Sequence, residues 1–108
     1  MKKSYNKLVR DRIANIIERS GAIVKIRTLK PIEFKVALKK KLVEESEELY
    51  GSVAKKEITS EIADILEVID ALMEVYRISR NELKKIKAQK RRIRGSFNDR
   101  VFLESVEE

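Results

Sequence analysis

The chain contains no cysteine and no histidine. The first absence removes disulfides, thiolate nucleophiles and zinc–thiolate sites. The second removes serine–histidine triads and imidazole metal ligands. Any catalysis must therefore run on carboxylates, hydroxyls, lysines, arginines and bound metal. No apolar run approaches the ~20 residues needed to cross a bilayer, and no apolar h-region follows the two N-terminal lysines. A soluble cytoplasmic protein, without a signal peptide or membrane partner, is the expectation. Proline occurs once and glycine three times, and those positions (Gly21, Pro31, Gly51 and Gly95) punctuate the chain.

What is abundant is charge. Of 108 residues, 25 are lysine or arginine and 18 aspartate or glutamate, a formal net charge of +7. That sign points to an anionic partner, and nucleic acid, a nucleotide or a membrane surface all match it. The 43% of hydrophobic residues supports one globular domain spanning residues 1–108, with a modest core.

Leu8, Ile13, Ile16 and Ile17 have the spacing of an amphipathic helix that Gly21 can terminate. Ala22 to Leu29 alternates and is rich in β-branched residues, which predicts a short strand. Pro31 suits the first turn of a helix predicted from about Ile32 to Tyr50, ended by Gly51-Ser52. A second long helix is predicted from about Ala54 to Tyr76. Its wide apolar face runs Ile58, Ile62, Ile65, Leu66, Ile69, Leu72, Met73 and Tyr76, and Val68, Ala71 and Val75 form a second stripe. A helix this apolar is central or shared with another subunit, so a homo-oligomer, dimer or tetramer, is expected. Ser79 with Glu82 forms a capping-box pattern opening a basic helix that Gly95 stops. Arg100 to Val106 alternates again and reads as a strand able to pair with Ile23–Leu29. The expected fold is mainly α, an antiparallel helical bundle carrying a small two-stranded β ribbon.

The most informative residues are acids. At about 100° per residue, Phe34, Leu38, Leu42 and Leu49 fall within roughly 80° of one another. By the same spacing Glu45 lands near the middle of that apolar stripe and Glu48 just off its edge. An ionised carboxylate facing a core is costly unless it is paired or binds metal. On the next helix Glu61 and Asp64 repeat the three-residue spacing. Because Gly51-Ser52 lets the helices fold back antiparallel, Glu45, Glu48, Glu61 and Asp64 converge. Crowded carboxylates need a cation, and hard oxygen ligands suit Mg2+, or alternatively Mn2+.

The pattern Glu44-Glu45-Ser46-Glu47-Glu48, a gap, then Glu61-Ile62-Ala63-Asp64 resembles the signature of the MazG-like all-α nucleoside triphosphate pyrophosphohydrolases, relatives of phosphoribosyl-ATP pyrophosphohydrolase. Tyr5-Asn6-Lys7-Leu8-Val9-Arg10-Asp11-Arg12-Ile13 looks like the start of a small single-domain branch of that superfamily. Arg94-Gly95-Ser96-Phe97-x-x-Arg100-Val101 resembles its basic Gly-Phe loop, with Ser96 where a second glycine is common. The resemblance implies hydrolysis of a nucleoside triphosphate to the monophosphate and pyrophosphate, including house-cleaning of non-standard nucleotides.

It further implies Mg2+ held by Glu45, Glu48, Glu61 and Asp64, polarising the phosphates and activating water. Glu44, as catalytic partner of Glu45, would either stand behind the metal ligands or position that water, although an exposed helix glutamate explains it equally. Lys7, Arg10, Arg12, Arg94, Gly95 and Arg100 would bind the triphosphate; taken alone, Lys7–Arg12 reads equally as a solvated face. Phe97 reads better as a core aromatic than as a base-stacking one.

Phosphoribosyl-ATP is an alternative substrate. A non-catalytic basic nucleic-acid-binding module is a second class of reading, supported by Lys84–Arg94. That run has no interleaved aromatics and leaves Glu45 unexplained, so nucleic acid is the less favoured partner.

Overall fold

The computed structural model describes residues 1–108 and contains four helices and no strand. They are α1 (Ile13–Arg19), α2 (Pro31–Gly51), α3 (Lys55–Val75) and α4 (Arg80–Arg94). The chain divides into two compact units, Met1–Tyr76 and Arg77–Glu108. No helix is long and apolar enough to cross a membrane.

In the first unit, α2 and α3 are 21 residues each and pack on one another. Only three residues, numbers 52–54, join them, so they run antiparallel. The start of α2 is fixed by Pro31 in the first turn and by the Glu33 carboxylate, which accepts the Lys30 N–H at 3.1 Å. Arg27 reaches the same carboxylate at 3.3 Å. The Arg27 hydrogen bond, and then that of Lys30, lowers the Glu33 pKa. At the other end the Ser52 hydroxyl donates to the Glu48 carbonyl at 2.8 Å, satisfying one of the carbonyls a helix end leaves open.

Antiparallel register makes positions equidistant from Val53 face one another. Leu38 and Val68 are each fifteen residues from it, and Glu45 and Glu61 each eight. Leu38, Val68 and Met73 are the buried apolar residues of this pair. Leu38 is 3% exposed, a burial worth about 1.5–3 kcal/mol. Phe34, Leu42, Leu49, Ile65 and Leu72 line the same seam half-buried.

The side of α3 turned to α2 is thus the Ile65–Val68–Leu72 side. Ile62 and Leu66, from the wider apolar face read in the sequence, remain 44% and 54% exposed.

α1 is shorter than the apolar spacing suggests, because Leu8 lies ahead of it in an irregular segment. Its end is as expected: Gly21, at φ 96°, donates its N–H to the Glu18 carbonyl at 2.9 Å. That left-handed conformation suits glycine.

The β ribbon does not form. Residues 22–29 and 100–106 have no strand pairing; Ile23, Ile26, Val101, Phe102 and Leu103 stay exposed, and Val24 and Leu29 are only half-buried. Alternation specifies a strand only when one face is buried, and a two-stranded ribbon by itself is marginal in water.

In the second unit, α4 begins at Ser79, whose hydroxyl accepts the Glu82 N–H at 3.0 Å as the capping pattern requires. None of its residues is buried. Phe97 is 98% exposed, so it is not a core aromatic: without the ribbon there is no layer for it to pack on.

Candidate functional site

Glu45 is the only charged residue that is buried, at 7% exposure. The stripe position read in the sequence explains it, since α2 turns that stripe toward α3. One carboxylate oxygen from each of Glu45, Glu61 and Asp64 lies within 4.8 Å of the others. Opposite ligands around a cation are separated by twice the metal–oxygen distance, about 4.1 Å for magnesium and about 4.6–5.2 Å for calcium. The spacing therefore admits a cation.

A second group, Glu44, Glu45 and Glu48, meets the same limit and shares Glu45 with the first. Of the four acids expected to converge, Glu45, Glu61 and Asp64 form one group, while Glu48, which is exposed, groups with Glu44 and Glu45 instead.

Two oxygens decide what this arrangement can do. Glu45 Oε2 and Glu61 Oε2 are shielded from solvent and have no hydrogen-bond partner. A buried acceptor left unpaired costs about 1–3 kcal/mol, and more when charged. A divalent cation would satisfy both, so the residues present fit one.

Around the acids stand three cations. Arg10 Nη2 donates to Asp64 Oδ1 at 2.7 Å, and Lys7 Nζ lies 3.5 Å from Glu44 Oε1. Both pairs are substantially solvated, and such pairs contribute about 0–1 kcal/mol. Lys7 also sits 5.7 Å from the Tyr5 ring centroid.

The third cation, Lys41, is the residue that sequence reasoning missed. Its Nζ lies 3.2 Å from Glu44 Oε1 and 3.4 Å from Glu45 Oε1, with its side chain 16% exposed. The signal was available, because Lys41 falls only about 20° outside the apolar stripe of α2 by the helical angle.

These contacts set the acidities. Burial pushes the Glu45 carboxyl up and the Glu48 charge adds to the rise; Lys41 opposes both without cancelling them. For Glu44, burial acts upward, but the Lys41 hydrogen bond and the Lys41 and Lys7 charges outweigh it and hold the carboxyl low. Lys41 is raised: burial lowers it, and the Glu44 and Glu45 carboxylates together overcome that. The attraction of Lys41 thus favours ionisation of Glu44 decisively, whereas Glu45 pays the larger cost of burial.

Of the other expected phosphate ligands, Arg12 is the exposed N-cap residue of α1. Arg94, Gly95 and Arg100 belong to the second unit. There Gly95 has φ 85° and donates its N–H to the Arg91 carbonyl at 2.8 Å. Arg100 adopts φ 56°. Ser96 has no positive φ, so a serine rather than a second glycine costs the loop nothing.

No family model, curated protein or solved structure matches this chain.

Proposed function

We propose that this chain is a metal-dependent hydrolase that cleaves a nucleoside triphosphate to the monophosphate and pyrophosphate. The observation that carries the reading is Glu45: a buried carboxylate with an unpartnered oxygen, facing Glu61 and Asp64 across a helix hairpin. Three carboxylates in that position form a hard-oxygen ligand set for magnesium or manganese. When bound, such an ion supplies Lewis-acid charge at the phosphates.

The protein's own groups do the rest. Glu44, kept ionised by Lys41 and Lys7, accepts a hydrogen bond from the attacking water and orients it. Lys7 and Arg10 are held by weak, solvated pairs, so phosphate oxygens can take them over at little cost. Arg12, in the same unit as the acids, is a further phosphate contact in this reading.

The active form in this reading is a homo-oligomer, dimer or tetramer, with Ile62 and Leu66 covered by a second copy. A core of few buried side chains is marginal on its own.

Pyrophosphate release, measured with magnesium over a panel of standard and damaged nucleotides and phosphoribosyl-ATP, tests the proposal. Glu45→Ala and Asp64→Ala should each lose about 100-fold or more, equivalent to ~2.7 kcal/mol, with helicity retained. Glu67→Ala, an exposed site on the same helix as Asp64, should leave turnover unchanged. Undiminished turnover in both site variants would sink the assignment.

The basic, wholly exposed α4 favours a second reading, a nucleic-acid-binding module. Its mark would be steeply salt-dependent binding to duplex or single strand with no nucleotide turnover.

A further inference from the structure

Two acidic triads share Glu45, but they are not equivalent. Within Glu44–Glu45–Glu48, Lys41 Nζ bridges Glu44 Oε1 and Glu45 Oε1 at 3.2 and 3.4 Å. Within Glu45–Glu61–Asp64 the solvated Arg10 guanidinium reaches Asp64 Oδ1 at 2.7 Å, while the shielded Glu45 Oε2 and Glu61 Oε2 atoms have no hydrogen-bond partner. Each Glu45 oxygen therefore faces a different demand, one answered by an ammonium and one open. Its burial, beyond nine-tenths, makes leaving that second oxygen unmet expensive.

Lys41 is also not an ordinary helix-surface partner. A lysine placed N-terminal to its glutamate is the weaker orientation for an i,i+4 pair, and this one is mostly buried. Its placement gains little for the helix and much for the acids.

We propose that Lys41 stands where a second metal ion would otherwise sit, so that each chain binds one divalent cation, at Glu45, Glu61 and Asp64, and not two. The inference rests on the reading that this hairpin binds a divalent cation at all. It makes Lys41 a positioning residue, which fixes Glu45 Oε1 and leaves Oε2 to the ion. It also removes Glu48 from the ligand set, in line with the exposure of that side chain.

Manganese titration of the metal-free 108-residue chain, without nucleotide, tests this through the paramagnetic signal of free Mn2+ and through calorimetry. The wild type should take up one ion per chain. Lys41→Met keeps the bulk of the stem without the charge and should take up two, with the broadened spectrum of neighbouring ions. Lys41→Arg, which keeps the charge, should return the count to one.

Glu61→Gln should weaken the single site at least about tenfold, because affinity follows ligand charge, and Glu48→Gln should leave it within about twofold. Circular dichroism establishes that each variant is folded. If Lys41→Met does not fold, the wild-type count and the Glu48→Gln and Glu61→Gln pair decide the matter alone.

Two ions in the wild type, one in folded Lys41→Met, or equal losses in Glu48→Gln and Glu61→Gln would overturn the proposal while leaving a cation site in place. No uptake by any form would overturn the cation reading itself, and this inference with it.

Discussion

Glu45→Gln separates a ligand from a structural residue, because the two roles predict opposite signs in the metal-free protein. In the fold, Glu45 Oε1 faces Lys41 at 3.4 Å and Oε2 has no partner. The amide removes a buried charge, keeps an acceptor for Lys41 and adds a donor beside the unpaired Glu61 oxygen. Removing an unmet buried acceptor is worth about 1–3 kcal/mol, so the variant should melt roughly 4–12 °C above the wild type in chelator. Magnesium reverses the order. At a hundredfold excess over its dissociation constant a specific ligand adds about 2.7 kcal/mol, or roughly 11 °C for a domain of this size. Only the wild type should gain it.

The assay is a pair of thermal melts by circular dichroism, one in chelator and one in magnesium, on both proteins. The melting curves should cross over between the two conditions. A variant that melts below the wild type in both would show that Glu45 is simply part of the packing. A variant that still gains full stability from magnesium would refute the ligand assignment.

Two further outcomes are expected. The lowered Glu44 pKa gives stability that is present above the ordinary carboxylate range and lost on acidification through the folded value. The raised Lys41 pKa gives stability present at neutral pH and lost as pH rises above the ordinary lysine value. Glu45 acts in the opposite sense to Glu44, since a raised carboxyl penalises the fold as it ionises. Glu44→Gln should therefore flatten the acid side of a pH–stability curve, and Glu45→Gln should steepen it; no change in either would refute this charge arrangement. Leu66→Glu, on the exposed side of α3, should shift sedimentation toward the single chain. An unchanged sedimentation coefficient would exclude that face as the contact between copies.

The sequence by itself determined the long helices, because their signals are local. Pro31, Gly51-Ser52 and Ser79 mark helix ends whatever the rest of the chain does: α2 begins at Pro31 and ends at Gly51, and α4 begins at Arg80, directly after Ser79. It also determined that Glu45 would be buried, since a single stripe of α2 carries both Glu45 and the apolar residues around it. The absence of histidine and cysteine limited the chemistry before any fold was known.

Tertiary structure decided what depends on how one helix is rotated against another. α3 carries more apolar surface than α2 can cover, and periodicity alone does not choose among its stripes. Packing turned Val68 inward with Glu61 and left Ile62 and Leu66 outside. That same rotation joined Glu61 and Asp64 to Glu45 without bringing Glu48 into their group.

The extended segments show the converse. Alternation in residues 22–29 and 100–106 looked like strands, but pairing is non-local and needs a buried face that these segments do not obtain. The neutralisation of the acids by Lys41, Lys7 and Arg10 likewise emerged only in three dimensions, where distance rather than sequence separation sets the strength of a charge pair.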